Sequence, residues 1–239
     1  MPKIYAIADL HMSFSVPNKA MDVFGEQWAN YTNRLQSAWK ELVGEDDLVL
    51  VPGDISWAMY LSDAAADLAF LGSLPGKKLL LRGNHDFWWS SVTQVRRSLP
   101  EGVYALQNDT FRFHGVEIAG TRGWVVPESA GFKESEDRKL FEREKQRLLL
   151  SLNRLDPDTV HLVMFHYPPF SETGKPSEFV SLLKPYDVKA AVYGHLHGKK
   201  AYASAFTGPY EGTYYHFAAA DALDFRPKPI WDIENGPIF

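Results

Sequence analysis

The 239-residue chain contains no cysteine. Disulfides and thiolate ligands are therefore excluded, and any metal must be held by His, Asp, Glu or Asn. No uninterrupted apolar run reaches membrane-spanning length. The opening Met1-Pro2-Lys3-Ile4-Tyr5-Ala6-Ile7-Ala8 is cut short by Asp9 and reads as a first β-strand rather than a signal peptide, which makes the cytoplasm the expected location. An excess of positive charge is also missing. The formal net charge is −5, so there is no global basic field to capture nucleic acid. With 45% hydrophobic and 23% charged residues, the composition is that of a globular protein and argues against disorder. Neither an internal repeat nor a low-complexity linker divides the chain, so one domain over residues 1–239 is the expected organisation.

What is present alternates between strand and helix. Apolar runs predict strands at 3–8, 47–51, 77–81, 160–165 and 188–193, with further strands at 214–218 and 230–233. Helical spacing of Phe24, Trp28, Tyr31, Leu35, Ala38 and Leu42 predicts a helix stopped by Gly44. Further helices are expected at 60–71, 88–99, 133–155 and 177–183, the third with a charged face toward water. Alternation about His114-Gly115 predicts an antiparallel hairpin over 110–120.

Short clusters of ligand-type residues punctuate this pattern: Asp9-Leu10-His11, Gly53-Asp54, Gly83-Asn84-His85-Asp86, His166, and Gly194-His195-Leu196-His197. Each falls at the carboxyl end of an expected strand, the rim where loops of an open α/β sheet converge on ligands. Asp9 and His11, like His195 and His197, are two apart, so on extended backbone their side chains leave on the same side. Asp54 has two oxygens with which to bridge two cations, and Asn84 offers a neutral carbonyl oxygen. A paired metal site points to hydrolysis of a phosphate ester or a related bond.

In that order the clusters resemble the calcineurin-like metallophosphoesterase superfamily, whose pattern is Asp-x-His, Gly-Asp, Gly-Asn-His-Asp/Glu, His and Gly-His-x-His. The resemblance implies a four-layer α-β-β-α sandwich with two mixed sheets. It also implies two divalent ions, Mn²⁺, Fe²⁺/Fe³⁺ or Zn²⁺: one held by Asp9, His11, Asp54 and His197, the other by Asp54, Asn84, His166 and His195. A hydroxide bridging the metals would attack phosphorus. His85 resembles the family's general acid, since an imidazole ordinarily exchanges its proton near neutral pH. Asp86 is expected to hydrogen-bond His85 and favour its charged form. The expected substrate is a small phosphodiester, with a phosphomonoester as the alternative. A non-catalytic scaffold, a DNA nuclease and a lipid-linked pyrophosphatase are weaker readings; the last of these branches typically has Arg in place of His85.

Other residues have plainer readings. Arg122 could clamp a phosphate, but a surface ion pair is the expectation. Lys199 and Lys200 read as a solvated pair, and His114, His161 and His216 as structural or exposed. The spacing of residues 72–77 is too short for a nucleotide P-loop. The aromatic stretch 12–28 and Trp57, Met59, Tyr60, Trp88 and Trp89 could line a substrate pocket, with packing the expected role.

Overall fold

The structure is a computed structural model that describes residues 1–19 and 21–239; Ala20, inside the aromatic stretch 12–28, lies outside the described residues. The first sheet contains β1 (Lys3–Ala6), β2 (Leu48–Pro52), β3 (Lys77–Leu81) and β4 (Val103–Leu106), all parallel. The second contains β5 (Phe111–Phe113), β6 (Val116–Thr121), β7 (Val160–Phe165), β8 (Val188–Tyr193), β9 (Gly208–Tyr210) and β10 (Thr213–Phe217). The chain then returns to the first sheet with β11 (Lys228–Asp232) and β12 (Gly236–Pro237), antiparallel beside β1. The spatial orders are β12-β11-β1-β2-β3-β4 and β5-β6-β7-β8-β10-β9. Both sheets are mixed, because β5 and β9 pair antiparallel at the edges of the parallel β6-β7-β8-β10 block.

Strand alternation explains the layers. Ile4 and Ala6, Leu48 and Leu50, and Leu79 and Leu81 face Leu162, Met164, Ala190 and Val192 of the second sheet in one core between the sheets. The alternate residues, Tyr5, Val49, Val51 and Leu80, pack outward against Leu35 and Trp39 of α1 (Tyr31–Leu42) and Leu68 and Leu71 of α2 (Ala65–Gly72). On the opposite side Val163, Phe165 and Ala191 meet Phe141, Leu148 and Leu152 of α4 (Glu134–Leu152) and Phe179 of α5 (Glu178–Leu183). Each such fully buried large side chain contributes about 1.5–3 kcal/mol. Helix on sheet on sheet on helix is the expected four-layer arrangement. Among the described residues no helix is long and apolar enough to cross a membrane.

Some boundaries differ from the sequence expectation. The helix expected from Phe24 begins only at Tyr31, preceded by short 3₁₀ turns at Pro17–Lys19, Met21–Phe24 and Glu26–Trp28. Gly25 (φ 128°) and Asn30 (φ 52°) break the path, since a left-handed residue cannot continue an α-helix. The helix expected over 88–99 is α3 (Val92–Ser98), started by the Ser91 hydroxyl, which accepts from the Gln94 amide at 3.3 Å. Strand β4 was not expected at all. The hairpin turn at His114 (φ 45°) and Gly115 (φ 79°) is present. Residues 72–77 run from the end of α2 into β3, the reverse of the strand-to-helix order that a P-loop needs.

Candidate metal centre

Strand ends deliver the site. Asp9 and His11 follow β1, Asp54 follows β2, and Asn84 and His85 follow β3. From the second sheet, His166 follows β7, and His195 and His197 follow β8. The connecting backbone is not extended, as the two-residue spacing suggested. Asp9 (φ 60°), His11 (φ 46°), Asp54 (φ 52°) and His195 (φ 73°) all occupy the left-handed region. Each such residue carries about 1–3 kcal/mol of strain and persists only where its surroundings hold it.

Main-chain hydrogen bonds hold it here. Asp9 N donates to Gly53 O (3.0 Å), His11 N to Asp54 O (2.9 Å) and Gly194 N to His166 O (3.2 Å). The Tyr31 hydroxyl donates to His11 O at 2.8 Å. Two motif glycines serve close approach. A Cβ on Gly83 would collide with the Asp54 carboxylate and amide, and one on Gly194 with the Asp9 carboxylate.

The ligand-type atoms form two groups. Those of Asp9, His11 and His197 lie within 4.8 Å of one another, and so do those of Asp54, His166 and His195. The Asn84 amide oxygen joins the second group, 2.6 Å from His166 Nε2. Asp54 Oδ2 lies 3.7 Å from His11 Nε2 and 3.6 Å from His166 Nε2, between the groups. His166 is oriented by its Nδ1, 3.0 Å from Pro52 O. The His85 ring lies against Trp57, with centroids 4.5 Å apart, and its backbone amide donates to Asp54 Oδ1 at 2.8 Å.

Asp86 departs from expectation. Its carboxylate does not turn to His85 but accepts from Ile55 N (2.9 Å), Ser56 N (3.2 Å), Gly83 N (2.7 Å) and the Trp88 indole (2.9 Å). It is wholly buried and ties the loop after β2 to the loop after β3. Asp86 thus braces the loops that carry Asp54 and Asn84.

Burial dominates the electrostatics. It pushes the Asp9 carboxyl well up against the pull of His197, and raises Asp54 against hydrogen bonding from the His85 amide. Burial and the Asp54 charge raise Asp86 as well. Burial likewise drives His11 and His195 far below the ordinary imidazole range, and His166 down to about 3. His197 runs the other way: burial opposes its charge, but the Asp221 hydrogen bond and the Asp9 charge raise it to about 9.

The donor set fits cations. Asp9 Oδ1 is buried without a hydrogen-bond partner. His11 Nε2 and His197 Nε2 face each other at 3.1 Å, as do His195 Nδ1 and His166 Nε2 at 3.2 Å. Buried carboxylates and opposed imidazole nitrogens left without a cation would be under-satisfied. A divalent ion in each group would stabilise both.

Sequence reasoning missed several neighbours. Asp221, in the loop after β10, stands behind His197 and also accepts from the Tyr202 hydroxyl. An acid just past an expected strand was the available signal. Trp28 and Trp57 line a cavity with His11, His85 and His197, whereas Trp88 and Trp89 are packed in the core. Met59 and Tyr60 are exposed. Arg122 is not a surface ion pair: its side chain is 14% exposed, 3.4 Å from Glu144, and stacked over Trp124. Its contact with the site is through its carbonyl, which accepts from His166 N at 3.1 Å. Lys199 and Lys200 are exposed at the start of α6 (Lys199–Tyr202), His114 is exposed, and His161 and His216 are buried away from the groups.

Among solved structures the fold is similar to phosphopantetheinyl hydrolase from Mycobacterium tuberculosis, with TM-score 0.58 and 15% identity over 99% of each chain. It is also similar to a protein of unknown function from Aquifex aeolicus, with TM-score 0.53 and 14% identity over 96% of each chain. Identity at this level concerns the fold alone. The Gene 66 proteins of mycobacteriophages L5 and D29 are 33% identical over 90 residues and 34% identical over 88. These matches span 36% of this chain and only 41% of each phage protein. The sequence profile of the calcineurin-like phosphoesterases matches residues 2–199, an interval containing every residue of both groups, and the chain belongs to that family.

Proposed function

We propose that the protein is a dinuclear metal-dependent phosphohydrolase with phosphodiesters as its preferred substrates. In this reading Asp9, His11, Asp54 and His197 hold one divalent ion, and Asp54, Asn84, His166 and His195 hold the other. The observation that carries it is the placing of Asp54 Oδ2 between His11 and His166, within 3.7 Å of a ring nitrogen from each group. A pair of bound ions supplies Lewis acidity and an ionised water as nucleophile. Mixed imidazole and oxygen donors suit Mn²⁺, Fe or Zn²⁺.

The chain's own residues do the rest. Asp54 Oδ1 fixes the His85 backbone through the His85 amide, so the bridging carboxylate and the proton donor move as one unit. His85 delivers a proton to the departing oxygen, a role for which its ring sits in the wall of a cavity beside His11 and His197. The Tyr167 ring packs against His195 with centroids 4.0 Å apart and planes tilted by 36°.

A diester needs room on both sides of phosphorus. Cavities of about 430 Å³ and about 140 Å³ touch the groups at His11/His197 and at His195 respectively, which favours diesters over monoesters. The test is turnover of mono- and diesters, including 2′,3′- and 3′,5′-cyclic nucleotides, by protein reconstituted with Mn²⁺, Fe²⁺ or Zn²⁺. Faster diester turnover is expected. Faster monoester turnover would select the phosphomonoesterase alternative, and no turnover of either would leave a binding scaffold.

A further inference from the structure

The two cavities that touch the groups are unequal. The smaller, about 140 Å³, adjoins His195 and Tyr167. A cavity of about 150 Å³ is filled by a single benzene ring, so this side admits a small group only. The larger, about 430 Å³, is of the size that binds whole organic ligands.

Its lining is as informative as its size. Trp57 stacks on His11 with centroids 4.8 Å apart and planes 22° apart, and lies 4.5 Å from the His85 ring. Its indole N–H donates to the Met21 sulfur at 3.0 Å, so the polar edge of the ring is satisfied. Trp28, 2% exposed, adds a second aromatic wall. A nearby lysine, Lys19, has its Nζ 5.8 Å from the Trp57 ring centroid and donates to Trp57 O at 3.3 Å, and the carboxylate in the wall, Asp221, is committed to His197 and Tyr202. Such an aromatic wall favours a planar group.

We infer that the larger cavity seats the departing alcohol, and that this alcohol is bulky and aromatic or otherwise planar, while the group retained on phosphorus is small. The inference rests on the reading of the site as a phosphohydrolase. Geometry gives the direction: the donor His85 is in the wall of the large cavity, so the oxygen it can reach belongs to the group lodged there. Water's hydroxyl joins phosphorus. The P–O bond to the alcohol breaks with its electron pair on the alcohol oxygen, and His85 protonates that oxygen. His85 then recovers from solvent the proton that the attacking water released.

The test uses 2-naphthylmethyl methyl phosphate, whose two alcohols are of nearly equal acidity, with metal-reconstituted full-length protein in ¹⁸O-water. The expected products are 2-naphthalenemethanol and ¹⁸O-labelled methyl phosphate, favoured over methanol by at least about tenfold. Trp57→Phe should keep most of this preference and Trp57→Ala should reduce it toward parity, both read as a product ratio that does not depend on total rate. The monoesters 2-naphthylmethyl phosphate and methyl phosphate should differ in kcat/KM in the same direction. Independently of activity, saturation transfer from metal-free protein to 2-naphthalenemethanol should be observed and should weaken in Trp57→Ala. Turnover with a ratio near one, preferential release of methanol, or no saturation transfer overturns this inference and leaves the proposed function standing. No turnover of any ester overturns both.

Discussion

His197 Nδ1 stands 3.2 Å from Asp221 Oδ1, the only contact that ties the exposed end of the histidine cluster to the loop after β10 among the hydrogen bonds described above. A carboxylate behind a ligating imidazole fixes the ring's orientation and raises its basicity, and its loss typically weakens metal binding by about 10–100-fold. Asp221→Asn is therefore expected to weaken one Mn²⁺ site by that factor in calorimetric titration of metal-free protein. An unchanged isotherm would remove Asp221 from the centre.

Asp54 Oδ2 lies within 3.7 Å of a ring nitrogen from each group. Asp54→Asn removes the negative charge and one of the two oxygen donors, and should lower metal stoichiometry and activity together. Elemental analysis of the purified variant beside its turnover decides the point: a fully loaded, fully active variant would end the bridging assignment.

Proton donation by His85 matters in proportion to how poor the leaving group is. His85→Asn should reduce turnover of alkyl esters by about 10²–10⁴-fold, the usual weight of a positioned acid. Nitrophenyl esters, whose leaving group departs unprotonated, should suffer far less. Equal losses on the two ester types would assign His85 a purely structural role.

The Asp9 carboxyl is raised well above its unfolded value, chiefly by burial, and its Oδ1 has no hydrogen-bond partner. A carboxyl raised in the folded state penalises folding above that raised value, and the penalty fades as pH falls toward its unfolded value near 4 (about 3.9). Metal-free Asp9→Asn should therefore have a higher Tm than metal-free wild type at neutral pH, with the difference shrinking as pH falls. Added Mn²⁺ should raise the Tm of wild type and raise that of Asp9→Asn by less, because the variant keeps only the Asp54, His166 and His195 group intact and binding to the folded state stabilises by mass action. A Tm for metal-free Asp9→Asn below wild type at neutral pH would contradict the reading.

What the amino-acid pattern could reveal follows from which forces leave a mark in it. Strands β3, β7 and β8 were legible because most of their positions are buried on both faces and apolar, with Lys77, Lys78, His161 and Lys189 confined to their first two residues. The four-residue β4 sits just behind Pro100 and Gly102 and is too short to establish a period. The start of α1 was misplaced because side-chain spacing says nothing about the sign of φ at Gly25 and Asn30. Adjacency misled at Asp86: neighbours in sequence need not face the same way, and four nearby donors claim its carboxylate. The ligand clusters were readable because each is a compact motif at a strand end. Asp221 and Trp57 act from outside any such motif, and only folding brings them to the histidines.

Each group draws on both sheets: Asp9 and His11 meet His197, and Asp54 meets His166 and His195, across the seam between the two halves of the sandwich. A cation lodged there is thus a rivet as well as a reagent. The halves cannot slide past one another without tearing ligands from it, and neither half by itself assembles a complete set. Capture of ions there would therefore report that the two sheets have docked in register, since a chain that has folded only one of them offers an incomplete set of ligands.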